Sequence, residues 1–204
     1  VGDAYQRCAA LTEVSEMANI FGEGLHEECG VFGIFRDSNS DVAAEVYYGL
    51  YALQHRGQES CGIVVNDGGV MTGYKDNGLV NEVFDHKVLT SLGQGNIAVG
   101  HVRYGTTGGN TRANAQPLII NHIKGSMALA HNGNLTNAAT LREELELQGS
   151  IFHSTSDTEV IAYELTKQRL QSPSIEAAVS RAMKRLRGAY SLVLMSPAKL
   201  LGVR

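Results

Sequence analysis

A cysteine followed by glycine opens the apolar, β-favouring run CGVFGIF at residue 29. A thiol acts as a nucleophile when a base lies close enough to take its proton. Glu27 and Glu28 precede Cys29, and their negative charge would oppose a thiolate. If the chain is cut between Glu28 and Cys29, however, the new α-amine, with an ordinary pKa of about 8, sits on the same residue as the thiol. One residue then supplies both nucleophile and base. The expectation is therefore cleavage at that bond, with residues 1–28 a leader that keeps the thiol silent until it is removed.

Four further segments carry side chains suited to one kind of substrate. HRGQES (55–60) is a dense polar run that includes Arg56 and Gly57. HVRYGTTG (101–108) sets Arg103 before a glycine-rich loop that includes Tyr104, Gly105 and Thr106, and a guanidinium there can grip a carboxylate with two parallel bonds. HNGN (131–134) reads as a tight turn offering the Asn132 amide and the Gly133 backbone N–H, two donors suited to an oxyanion. SDTE (156–159) places Asp157 in a first helical turn, where a carboxylate can meet an ammonium. Singly, each is an ordinary feature: a surface ion-pairing arginine, a hairpin turn, a helix-starting acid. Together they describe a site for a free amino acid with a side-chain amide.

The elements that must position these residues follow from hydrophobic period and turn chemistry. Residues 29–36 read as a buried strand ending in the polar turn DSNSD, and Val42, Val46, Leu50 and Leu53 line one face of a helix capped by Ser40 or Asp41. CGIVV (61–65) and VMTGY (70–74) form a hairpin across NDGG, a short helix lies within 79–91, and 97–104 is a strand. Residues 105–117 are loop, and SMALAHNGN is a strand running into its turn. Helices are predicted over 137–148, from Ser156 onward with a Ser156/Glu159 capping box and Ile161 and Leu165 buried, and over 175–187 through Ile175, Val179, Met183 and Leu186. AYSLVLM is a buried strand, and LLGVR begins another, so the chain reads as a piece of a longer one. Hairpins dominate this order, which predicts an antiparallel α+β layered domain.

The chain has 204 residues, 43% hydrophobic and 19% charged, with a net charge of -4. That suits one well-buried globular domain, and it offers neither a basic footprint for nucleic acid nor a polybasic membrane patch. Cys8, Cys29 and Cys61 are too far apart for a CxxC zinc or disulfide pattern, so a reducing cytoplasm is expected. The first 28 residues hold six acidic residues against one arginine, which argues against a targeting signal.

The stretches CGVFGIF, LQHRGQESCGI, GHVRYGTTG, NAQPL, AHNGNLTN, LREEL and STSDTEVI resemble the N-terminal class II glutamine amidotransferase domain of the glutamine phosphoribosylpyrophosphate amidotransferases, over about residues 29–204. Related class II domains, such as that of glucosamine-6-phosphate synthase, read more like YRGYDSAG and HTRWATHG. The resemblance implies an N-terminal-nucleophile hydrolase fold, a four-layer αββα sandwich of two antiparallel sheets between helices. It implies L-glutamine as substrate, Cys29 as nucleophile, Asn132 and Gly133 as oxyanion hole, Arg103 as carboxylate site and Asp157 as ammonium site. Arg56, Gly57, Tyr104, Gly105 and Thr106 would line the site, with 104–116 the loop closing over glutamine. Cys61 reads as core and Cys8 as lost with the propeptide-like leader.

For the whole protein the resemblance implies ammonia passed to a phosphoribosyltransferase domain of the same polypeptide in purine synthesis, and a homo-oligomer, a tetramer. It implies no metal within this segment; magnesium and, in the propeptide-bearing branch, a 4Fe–4S cluster would be held beyond residue 204. Two alternatives stay open: the glutaminase domain of another class II amidotransferase, or a module that binds glutamine without turning it over because the leader caps Cys29 or the loop does not close.

Overall fold

The computed structural model describes residues 29–104 and 111–204. The leader with Cys8, and the site candidates Gly105 and Thr106, lie outside the described residues. The described chain forms strands β1 (Gly30–Ser40), β2 (Ser60–Asp67), β3 (Val70–Asn77), β4 (Gly95–Arg103), β5 (Leu118–His122), β6 (Gly125–Leu135), β7 (Gly188–Ser196) and β8 (Lys199–Val203). Its helices are α1 (Val42–Ala52), α2 (Val80–Val83), α3 (His86–Leu92), α4 (Ala138–Leu147), α5 (Asp157–Leu170) and α6 (Ile175–Met183).

The strands make two antiparallel sheets, ordered β1-β4-β2-β3 and β5-β6-β7-β8. Three apolar clusters then define the layers. Val42, Val46 and Leu50 of α1 pack on Ile34, Ile63 and Val102 of the first sheet. Val31, Val64, Ile97 and Val99 meet Ala128, Ala130, Val193 and Met195 between the sheets. Leu129, Leu192 and Leu194 pack on Ile161 and Leu165 of α5 and on Val179 of α6. This is the helix, sheet, sheet, helix order expected of the sandwich. Each fully buried aliphatic side chain contributes about 1.5–3 kcal/mol, and period-two alternation along the strands feeds two clusters at once.

Several boundaries differ from the sequence expectation. β1 runs on through the predicted turn to Ser40, with Asp37, Ser38 and Asn39 exposed and a register shift between Phe35 and Ser40. Asp41, not Ser40, caps α1, accepting from the Ala44 N–H at 3.1 Å. The helix expected in 79–91 is two pieces, because Asp85 caps a second start by accepting from the Val88 N–H at 2.7 Å. α6 stops at Met183, four residues short of the expected end. β5 forms directly after the predicted loop, over residues for which no element was expected.

The largest correction concerns HNGN. It is not a tight turn: β6 continues through it, and the β6–β7 ladder pairs Asn132 with Ser191 and Gly133 with Tyr190 without a break. Gly133 has φ +120, and a Cβ there would lie 2.2 Å from the Ala189 carbonyl oxygen. An Asn-Gly pair signals a turn because both residues tolerate positive φ; here that freedom lets β7 approach a strand.

Candidate active site

Ladder register brings the candidates together. In the first sheet Gly30 pairs with Val102 and Ser60 with Arg103, so Cys29, Arg103 and Glu59 meet at one end of adjacent strands. In the second, His131, Asn132 and Gly133 follow one another on β6. His101 joins the sheets: its Nε2 donates to the His131 carbonyl at 3.0 Å. That imidazole is fully buried, and burial, only partly offset by the bond to the carbonyl, pushes its pKa down to about 3. It is a neutral, fixed strut, and a carbonyl partner requires its proton to be on Nε2.

Cys29 is held by donors from three segments. Its carbonyl accepts from Arg56 Nε at 3.1 Å and from Asn132 Nδ2 at 3.1 Å. Its Sγ accepts from the Tyr104 backbone N–H at 3.5 Å. A donor aimed at sulfur favours the charged form of a thiol. Cys61, one position out of phase on β2, instead faces the α1 layer; burial, with Asp76 and Glu82 adding to it, pushes its thiol up to about 12. The core reading of Cys61 holds.

A cleft of ≈ 310 Å³ opens beside Cys29, within the size range of small-molecule pockets, and Arg103, Tyr104, Gly133 and Asp157 line it. Arg103 is nearly buried and makes an ion pair through Nη1 with Glu59 Oε1, their side chains 8% and 10% exposed. Asp157 stands opposite, at the start of α5. Its Oδ2 accepts from the Leu135 N–H at 2.9 Å, and its Oδ1 lies 3.4 Å from His131 Nδ1. Burial alone would raise the Asp157 carboxyl, but the contact with His131 and the N–H groups of Leu135 and Thr158 outweigh it and hold the group below the usual aspartate value.

Other candidates stand behind the cleft. Arg56 reaches the back of Cys29, and Gly57 is needed for packing, since a Cβ there would lie 2.6 Å from the Val102 carbonyl carbon. Asn132 spends one amide hydrogen on Cys29 and retains a second. The C-terminal part of the expected closing loop is fixed: Asn114, Ala115 and Gln116 are buried, Asn114 Nδ2 donates to Thr155 Oγ1 at 3.1 Å, and Gln116 Oε1 accepts from the His131 N–H at 2.7 Å. Ser156 caps α5 as expected, but Glu159 turns away from the capping box and accepts from the His153 and Ser154 N–H groups.

Sequence reasoning passed over Glu59, His131 and Gln116. Glu59 and His131 lay inside quoted motifs, yet only the strand register reveals that Glu59 meets a residue 44 positions away. Among the described residues, no three His, Cys, Asp or Glu side chains gather as a metal-ligand set, and no helix is long and apolar enough to cross a membrane.

Comparison with known proteins fits this arrangement. The chain is 47% identical over 176 residues to the amidophosphoribosyltransferase of Methanocaldococcus jannaschii and 44% identical over 180 residues to that of Bacillus subtilis, covering 86% and 88% of this chain. It spans 37% of the length of each. Two solved structures superpose on 85% of the chain and 36% of their own: the allosteric regulatory enzyme of purine biosynthesis, at TM-score 0.78 and 43% identity, and the B. subtilis glutamine phosphoribosylpyrophosphate amidotransferase complexed with ADP and GMP, at 0.75 and 41%. Residues 101–204, which carry Arg103, Asn132, Gly133 and Asp157, match the glutamine amidotransferase domain model. With that match over half of its length, the chain belongs to the glutamine amidotransferase domain family.

Proposed function

We propose that this chain is the glutaminase part of an amidophosphoribosyltransferase, with Cys29 as nucleophile. The observation that carries the reading is one cleft bordered by the Cys29 thiol, the Arg103 guanidinium and the Asp157 carboxylate, from three distant segments. A thiol that shares a cleft with a cation and an anion suits an amino acid whose side chain ends in an electrophilic carbon. Arg103 receives the α-carboxylate and Asp157 the α-ammonium, which leaves the γ-amide facing sulfur.

Once the chain begins at Cys29, its α-amine takes the thiol proton and sulfur attacks the amide carbon. The oxyanion accepts from the second Asn132 amide hydrogen and the Gly133 N–H. The C–N bond breaks, the α-ammonium returns its proton to the leaving nitrogen, and ammonia departs. Water then attacks the thioester, releasing glutamate and restoring the thiol. Arg56 and Gly57 support this centre from behind, and Tyr104 borders the substrate. One solved relative is named a glutamine phosphoribosylpyrophosphate amidotransferase, which makes phosphoribosylpyrophosphate the acceptor inferred for this ammonia. That use, in the cytoplasm, within a homo-oligomer and with the acceptor domain on the same polypeptide, belongs to this proposal.

The test is site-specific inactivation. The Cys29→Ala variant should lose glutaminase activity, while Cys61→Ala keeps most of it. The glutamine-like electrophile 6-diazo-5-oxo-norleucine should label Cys29, with excess glutamine protecting. Equal loss in both variants with folding intact, or labelling indifferent to glutamine, contradicts the reading.

A further inference from the structure

His131 takes no part in the steps above, yet it is buried beside the cleft with its backbone and its side chain both held. Its N–H donates to Gln116 Oε1 at 2.7 Å, its carbonyl accepts from His101 Nε2 at 3.0 Å, and its ring meets that of Tyr190 with centroids 6.4 Å apart. The side chain is 1% exposed. Only Nδ1 has polar partners among the described residues: Thr158 Oγ1 at 3.2 Å and Asp157 Oδ1 at 3.4 Å; Nε2 is buried and has none.

We propose that His131 is a positioning residue for Asp157, and through it sets the preference for substrates that carry a free α-ammonium. The inference rests on the glutaminase reading and adds a residue to it. The tautomer with its proton on Nδ1 is the one that can donate toward a carboxylate. Donation toward Oδ1, together with the Leu135 N–H on Oδ2, fixes the carboxylate from both sides by one strand, β6. Both oxygens are then held in fixed positions with lone pairs still available, and the Asp157 side chain, 19% exposed, lines the cleft. Without the imidazole the carboxylate keeps its charge but can rotate about its last bond. A loosely aimed anion binds a cation less well than a pre-aimed one. His131 also immediately precedes Asn132, so one rigid segment spaces the ammonium anchor from the oxyanion donor.

The test uses the full-length protein, shown by mass to begin at Cys29, and three substitutions. In His131→Leu the donor is gone; in His131→Asn the amide nitrogen falls near the Nδ1 position; in His131→Gln it falls near Nε2. Wild type and variants are compared for KM and kcat with L-glutamine and for the Ki of glutaramate, which has the same amide and carboxylate but no α-ammonium. Thermal unfolding by circular dichroism checks folding. His131→Leu and His131→Gln should raise KM roughly tenfold with kcat nearly unchanged and Ki unmoved, as loss of one charge-assisted hydrogen bond would give. His131→Asn should stay near wild type, and adding His131→Leu to Asp157→Asn should cost nothing more. The proposal is overturned if KM and Ki rise together, if KM does not rise, or if Asn is as damaging as Gln. Should His131→Leu fail to fold, the Asn and Gln variants decide by the same criteria. A wild type that binds glutamine without hydrolysing it removes the glutaminase reading alone, because the comparison can then be made with dissociation constants. A wild type that does not bind glutamine at all removes both.

Discussion

At the first-sheet end of the cleft a cation is already paired, whereas at the second-sheet end an anion is kept charged and left partly open. Arg103 and Glu59 neutralise each other in a nearly buried pair. A substrate carboxylate arriving there joins an existing ion pair. Asp157 has as partners a histidine and backbone N–H groups, so it stays ionised and retains charge for a ligand. The difference teaches that the two anchors should fail differently: the Asp157 end by losing charge, the Arg103 end by losing geometry.

The sharpest way to break this comparison is Asp157→Asn, which keeps the shape and removes the charge. Its KM for glutamine should rise by about ten- to a hundredfold, the cost of a hydrogen bond to a charged group, with kcat changed far less. Glu59→Gln keeps an acceptor beside Arg103, and KM should rise only a few-fold. Steady-state kinetics on both variants checks the order; a Glu59→Gln effect as large as that of Asp157→Asn would show that the Arg103 end depends on charge too.

A smaller effect appears with pH. The Asp157 carboxyl is held below its ordinary value in the folded protein, so its contribution to stability is fully present above that value and is lost as pH falls through the folded one. The stability difference between wild type and Asp157→Asn, measured by chemical unfolding, should therefore be constant above the ordinary carboxylate range and shift against the wild type below it. A difference that does not change with acidification would mean that folding leaves this group where the unfolded chain has it.

What could be read beforehand divides along the same physical line. Period-two and helical patterns located β1, α1, the β2–β3 hairpin, β4, α4, α5 and β7, because apolar side chains sort by local spacing. The five residues proposed to carry the chemistry, Cys29, Arg103, Asn132, Gly133 and Asp157, were picked out as types in context and by family resemblance. What was not legible depends on long-range register. Glu59 meets Arg103 only because Ser60 pairs with Arg103, and His131 meets Asp157 only because α5 begins over β6. HNGN was misread for a local reason: the residue types that favour a turn also permit the positive φ of Gly133 within a strand.

Whether Cys29 works through its own α-amine is decided by the glutaminase activity of the full-length protein in two forms. One retains residues 1–28, shown by intact mass; the other begins at Cys29. While the Glu28–Cys29 bond is intact the nitrogen is an amide and cannot take the thiol proton, so the account predicts hydrolysis of glutamine only by the form that begins at Cys29. Equal rates from both forms would contradict it.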